Sequence, residues 1–68
     1  MTVYNVVELV GTCTESWEQA ARAAVEQAAK TLRDLRIAEV IAQDVVIEDG
    51  KVSAYRTKVK LSFKYEST

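Results

Sequence analysis

The sequence predicts an α+β fold of order β-α-β-β, in which a three-stranded antiparallel sheet packs on one helix. Three observations predict it. The hydrophobic pattern has the period of a strand near both ends of the chain and the period of a helix over residues 15–34. The pair Asp49-Gly50 separates the last two strand patterns and favours a tight hairpin turn. The chain has 68 residues and no proline, so we expect one domain over residues 1–68.

The first strand is predicted over residues 3–10, a run rich in valine. β-Branched and aromatic residues favour an extended backbone, and Val3, Val7 and Leu9 share one face of such a strand. Gly11 follows the run, and we interpret it as the turn that closes the strand.

The helix is predicted over residues 15–34, with Thr14 or Ser16 as its N-cap, because the segment SWEQ from residue 16 fits the capping-box pattern. An apolar stripe recurs at three- and four-residue spacing, formed by Trp17, Ala20, Ala21, Ala24, Val25, Ala28, Leu32 and Leu35. Because most of these residues are alanine, the helix can approach a sheet closely but buries little area and depends on that sheet.

The second strand, predicted over residues 37–48, carries apolar residues on both faces. Because a half-buried strand would alternate, either a bulge shifts its register or a second subunit covers its other face. The third strand alternates strictly over residues 55–65. Its inward residues are predicted to be Tyr55, Thr57, Val59, Leu61, Phe63 and Tyr65, and its outward residues Arg56, Lys58, Lys60, Ser62 and Lys64.

The residue types that the chain lacks exclude much chemistry. It has no histidine, one cysteine and two widely separated glycines. An internal disulfide, a zinc or haem ligand set, a histidine-activated nucleophile and a phosphate-binding loop are thereby excluded. The net charge is −1, and no apolar run approaches the length of a membrane span. We therefore expect a cytoplasmic protein that is not an enzyme and has no nucleic-acid or membrane partner.

Small size predicts self-association. A chain this short buries only about 60% of its unfolded surface, which barely offsets the entropy of ordering the chain. The second strand, apolar on both faces, indicates the same need for further cover. We therefore expect a homo-oligomer with closed symmetry.

Short motifs along nearly the whole chain resemble the dodecin family. The segment ELVGT at residues 8–12 is similar to the family's strand-ending E-[IL]-V-G-[TS], and AEV at residues 38–40 is similar to the start of its second strand. KLSF at residues 60–63 resembles the K-V-G-F of its last strand. The resemblance implies a hollow homododecamer that binds and stores small ligands, which in this family are mostly flavins.

The same resemblance implies an altered flavin site. Family members stack the flavin on a tryptophan that opens the second strand and hydrogen-bond it with a glutamine on the third; Ile37 and Arg56 occupy these two positions. Isoleucine has no π-face, and arginine donates hydrogen bonds but cannot accept them. We therefore expect a storage protein that binds its ligand at Ile37 and Arg56, with an anion favoured at Arg56. Binding of riboflavin or FMN is an alternative.

A divalent cation is a further alternative. The segment SWEQAA at residues 16–21, with Tyr55 and Arg56, resembles a branch described as calcium dodecins, which lacks the flavin-stacking tryptophan. No EF-hand loop is present, and Ca²⁺ needs six to eight oxygen ligands, so several subunits would have to supply them. The candidate ligands are Glu15, Glu18, Glu39 and Asp44.

Three single residues complete the sequence-based expectations. Glu39 lies within an apolar strand, where a carboxylate is costly unless paired, so we expect an ion pair with Arg36 or Arg56 of another subunit. Trp17 is expected to be a packing anchor, and Cys13 a small residue at a turn.

Overall fold

The computed structural model describes residues 1–65, so residues 66–68 of the predicted domain lie outside the described part. The elements are β1 (Tyr4–Cys13), α1 (Trp17–Ala28), β2 (Leu35–Glu48) and β3 (Lys51–Lys64). Their order is the predicted β-α-β-β. The sheet is antiparallel with strand order β1-β3-β2, which places the last strand in the centre. No helix in residues 1–65 has the length and apolar character needed to cross a membrane.

The sequence predicts that strand β1 closes at Gly11, and this prediction is wrong. The strand continues to Cys13, and Gly11 pairs with Thr57 in the middle of the sheet. Gly11 is buried under α1, where a Cβ atom would collide with the backbone carbonyl of Ala20 and lie 3.1 Å from Cβ of Ala24. The glycine is therefore needed for close contact between helix and strand rather than for a turn.

Helix α1 begins two residues later than predicted and also ends earlier. Ser16 is the N-cap, and its hydroxyl accepts a hydrogen bond of 3.1 Å from the backbone N–H of Gln19. The helix ends at Ala28, six residues before the predicted end, because Thr31 turns back and donates both its N–H and its hydroxyl to the Ala28 carbonyl. Asp34 then adopts the left-handed conformation, with φ of 57°, just before β2 begins.

The two leucines that the sequence placed at the end of the helical stripe therefore lie outside the helix. Leu32 follows it in a turn, and Leu35 is the first residue of β2. Both leucines are partly buried and still pack against the core.

The core lies between α1 and β3. The helix buries Ala20, Ala24 and Ala28, and the strand buries Val59 and Leu61 against them. This confirms the predicted alternation of β3 over its central residues. At the outer end of that alternation, Tyr65 is half exposed and follows the strand.

Strand β2 has three irregularities, between Leu35 and Ile37, between Val40 and Ala42, and between Val46 and Ile47. A bulge reverses which face the following residues occupy, so these shifts explain part of the apolar pattern on both parities; Ile37 and Ala42 still pair with the outward residues Ser62 and Lys58. Helix α1 packs mainly on β1 and β3, so β2 is poorly covered; Ile37 is 62% exposed and Ile47 is 66% exposed.

The protomer is elongated. It measures 52 × 20 × 14 Å and has a radius of gyration of 14.0 Å, against about 11 Å expected for a compact domain of this length. Pairing of β1 with β3 ends at Tyr55, so the tip of the β2–β3 hairpin projects beyond β1. This hairpin tip, residues 46–54, presents Ile47 and Val52 to solvent.

Candidate functional site

The candidate site lies on the outer face of the sheet, which we define as the surface opposite α1. Alternate residues of β3 point there, and the strand register sets their neighbours on β1 and β2. Three successive rows cross the sheet: Thr12, Arg56 and Asp44; Val10, Lys58 and Ala42; Glu8, Lys60 and Glu39. The outer face therefore has a basic central strand with carboxylates on both sides.

Asp44 and Arg56 form a bidentate ion pair. Nε of Arg56 donates to Oδ1 of Asp44 at 2.7 Å, and Nη2 donates to Oδ2 at 2.7 Å. The hydrogen bond from Arg56 holds the pKa of Asp44 below its ordinary value, and the same bond raises the pKa of Arg56. About half of each side chain is exposed, 53% for Asp44 and 46% for Arg56. The pair is therefore electrically neutral and accessible in the protomer.

Trp17 connects this pair to the start of the helix. Its Nε1 donates to the backbone carbonyl of Asp44 at 3.0 Å, and its ring meets Tyr55 edge to face, with centroids 5.0 Å apart. The Trp17 carbonyl accepts a 2.8 Å hydrogen bond from the hydroxyl of Thr57, which is fully buried. These contacts agree with the expected role of Trp17 as a packing anchor.

The two expected ligand-binding positions lie on the outer face but not together. Ile37 is opposite Ser62, and Arg56 lies six residues away along β3 from that position, a separation of about 20 Å. A small ligand can therefore contact both positions at once only if Ile37 belongs to one chain and Arg56 to another. Ile37 borders a shallow groove of about 140 Å³ between α1 and β2, lined also by Val25, Leu35, Arg36, Ala38 and Leu61.

Within one chain, Glu39 faces Lys60 across the sheet. Arg36 lies at the first irregularity of β2, and Arg56 is engaged by Asp44. Within residues 1–65 of one chain, Asp44–Arg56 is the sole ion pair. The pairing of Glu39 with an arginine of another subunit stays a prediction.

Three of the four candidate cation ligands, Glu15, Glu18 and Asp44, lie near the start of α1, whereas Glu39 is opposite Lys60 farther along the sheet. Glu15 precedes the N-cap, its backbone N–H lies 3.4 Å from Sγ of Cys13, and Glu18 is in the first turn. The backbone carbonyl of Asp44 accepts a hydrogen bond from the Trp17 side chain, which places Asp44 near this helix end. Both carboxylate oxygens of Asp44 accept hydrogen bonds from Arg56. No cluster of three or more acidic or cysteine side chains that could hold a metal ion occurs in the described part of the chain. One protomer alone therefore does not supply a calcium ligand set.

The ion pair was not expected from the sequence, which gave Asp44 and Arg56 separate roles. Counted back from the Asp49-Gly50 turn, a regular hairpin places Asp44 opposite Tyr55. The irregularity between Val46 and Ile47 moves the register by one residue and places Asp44 opposite Arg56. The residue that marks this irregularity is Ser53, the extra residue on β3. Its hydroxyl donates to the Val46 carbonyl at 3.3 Å.

Comparison with known proteins identifies the family. The family model described as Dodecin matches residues 3–66. The chain belongs to the dodecin family. Its sequence is 44% identical over 64 residues to calcium dodecin from Mycobacterium tuberculosis, which covers 94% of this chain and 90% of that one. It is 41% identical over 66 residues to dodecin from Thermus thermophilus, with coverage of 97% and 96%.

Solved dodecin structures have the same fold. Dodecin from Streptomyces coelicolor superposes with a TM-score of 0.92 at 40% identity, covering 98% of this chain and 96% of that one. Calcium dodecin from M. tuberculosis, whose structure has a calcium-binding site, superposes with a TM-score of 0.85 at 41% identity, with coverage of 97% and 94%. The predicted fold class is therefore confirmed.

Proposed function

We propose that this chain assembles into a hollow homododecamer that binds and stores a small ligand without catalysis. Membership of the dodecin family carries this proposal. The geometry supports the assembly, because Ile37, Ile47 and Val52 are exposed apolar residues on a protomer too elongated to bury them itself.

The ligand would be held between chains on the outer face, at positions drawn from Ile37 of one copy and Arg56 of another. The residues at these positions do not fit a stacked flavin. Ile37 offers aliphatic contact only and no aromatic face on which a flavin ring could stack. Trp17 does not replace the missing aromatic residue, because Asp44 and Tyr55 hold its ring at the start of the helix.

Native mass spectrometry tests the assembly, and flavin titration tests the ligand site. We expect a particle of twelve times the 7.6 kDa of one chain. Riboflavin or FMN at micromolar concentration should leave most flavin fluorescence unquenched. A folded particle with the mass of one chain would refute the shell. Stoichiometric quenching would instead support flavin sequestration by the dodecamer.

Calcium binding is the second candidate function. It is supported by the 44% identity to calcium dodecin and by the acidic residues at the start of α1. Because one chain supplies no ligand cluster, the ion would have to bind between symmetry-related copies.

Calorimetry with CaCl₂ tests this candidate. We expect heat of binding from the assembled protein, and Glu18→Gln should weaken binding at least tenfold. Glu26→Gln is the matched control, since Glu26 is an exposed glutamate farther along the same helix. Absence of binding heat, or an equal loss in both variants, would rule out a site at Glu18.

A further inference from the structure

The Asp44–Arg56 pair changes the ligand chemistry expected at Arg56. A free guanidinium attracts anions, above all phosphate, because its planar N–H groups bind oxygens in pairs. In this structure the carboxylate of Asp44 already occupies that bidentate position, with both N–O distances at 2.7 Å. An anion that binds Arg56 must therefore displace Asp44 and lie beside its negative charge.

Asp44 is also held by its backbone. Its carbonyl accepts the hydrogen bond from Trp17, and its residue position is fixed opposite Arg56 by the strand register. Moving the carboxylate away from Arg56 therefore requires a change of side-chain rotamer while the backbone stays in place. The pair is thus an ordered part of the outer face.

The pair keeps hydrogen-bonding capacity for uncharged ligands. Arg56 uses two of its five N–H donors on Asp44, and each carboxylate oxygen retains a free lone pair. Together the two side chains can donate to a carbonyl and accept from an N–H of the same ligand. Amides, imides and similar neutral polar groups match this edge.

We propose that Asp44 is a specificity-determining residue of the site: by holding Arg56, it selects neutral polar ligands and rejects phosphate-bearing ones. This inference rests on the proposed function, because it assumes that Arg56 contacts the stored ligand.

The neighbouring charges determine which control the experiment needs. Lys58 is next on the same face, and its cross-strand neighbours, Val10 and Ala42, carry no charge. Lys60 lies between Glu8 and Glu39. Any gain of anion binding must therefore be shown to depend on Arg56 rather than on these lysines.

Calorimetric titration with inorganic pyrophosphate at fixed ionic strength tests the proposal. We expect Asp44→Asn to bind pyrophosphate at least tenfold more tightly than the unmodified protein, because the amide frees Arg56 without changing the shape of the side chain. Adding Arg56→Gln to Asp44→Asn should remove the gain. Glu8→Gln, which removes one negative charge from the same face, should stay within twofold of the unmodified protein.

Three results would overturn the proposal: no gain in Asp44→Asn, a gain that survives Arg56→Gln, or an equal gain in Glu8→Gln. If Asp44→Asn fails to assemble, the unmodified protein and Arg56→Gln still decide the question. Pyrophosphate binding by the former that the latter abolishes would show that Asp44 does not block the site and would overturn the proposal.

Native mass spectra of the same samples separate this inference from the proposed function. An intact dodecamer in which Asp44→Asn gains no affinity would refute the role of Asp44 alone. A particle smaller than twelve chains would refute the proposed shell whatever the titration shows.

Discussion

Gly11 determines how closely the helix can lie on the sheet. It pairs with Thr57 in the interior of the sheet and is covered by α1 at Ala20 and Ala24. Because the colliding atom would be a backbone carbonyl, no side-chain rotation can make room for a methyl group there. The whole helix would have to move away from β1 and β3, and the alanine packing would be lost with it.

Gly11→Ala should therefore reduce the free energy of unfolding by about 3 kcal/mol or more, at the upper end of overpacking penalties. Gly50→Ala is the control. Gly50 lies in the hairpin turn with φ of 73°, and a Cβ there meets no atom within 4 Å, so only backbone strain of about 1 kcal/mol is expected. Urea denaturation of both variants measures the difference. Equal losses would show that the contact between Gly11 and Ala20 is not limiting.

The Asp44–Arg56 pair should make stability depend on pH in the acid range. The folded pKa of Asp44 is lowered from 3.8, so the unfolded chain takes up the proton first as pH falls. The stabilisation is complete above the unfolded pKa and is lost as pH falls through the folded pKa. As pH falls below about 5, unfolding free energy should fall more steeply for the unmodified protein than for Asp44→Asn. Parallel pH profiles for the two proteins would contradict this.

At the scale of elements, α1 is a short helix whose buried face consists of small residues. Its twelve residues bury Ala20, Ala24 and Ala28, which contribute little hydrophobic area each. Interactions at the ends of α1 therefore contribute a larger share of its stability than they would in a helix that buries large apolar side chains. Ser16, hydrogen-bonded to the N–H of Gln19, and Trp17, bound to the Asp44 carbonyl, fix its first turn.

Ser16→Ala should lower the free energy of unfolding by about 1 kcal/mol, because the N–H of Gln19 loses its partner. Ser62→Ala is a matched control on β3, outside the helix, and should change stability by less than about 0.5 kcal/mol. Urea denaturation followed by circular dichroism measures both. If the two variants lose the same stability, the cap does not contribute specifically.

Element types could be predicted from the sequence, whereas register could not. Strict alternation of apolar and polar residues was sufficient to predict which residues of β3 face the core. The observed N-cap, Ser16, was one of the two residues predicted for that position. The early helix end and the continuation of β1 past Gly11 depend on tertiary contacts: a turn closed on the Ala28 carbonyl and a helix lying on the glycine. The irregularity between Val46 and Ile47 changes the partner of Asp44 by one residue, and a periodic pattern does not reveal where such a shift occurs.

At the scale of the whole molecule, the protomer is too extended to cover its own apolar residues. The hairpin tip projects beyond β1, and Ile47 on it is 66% exposed. In the proposed dodecamer, neighbouring chains would cover such residues. Folding and assembly would then be coupled, because part of the stabilising surface is created only on association.

The melting temperature should therefore rise with protein concentration, by mass action. Ile47→Ser should lower both the melting temperature and the fraction of dodecamer in native mass spectra. Lys51→Ser alters a polar residue at the same end of the hairpin and should change neither. A melting temperature independent of dilution over a hundredfold range would contradict the coupling.

The central position of β3 also has a consequence during protein synthesis. In the described part of the chain, β1 and β2 each pair with β3 and not with each other. Until β3 has been synthesised and has left the ribosome, β1 and β2 have no strand to pair with. A released chain truncated before residue 51 should therefore stay unfolded and accessible to chaperones and proteases, and during synthesis the sheet should form only when its last strand has left the exit tunnel.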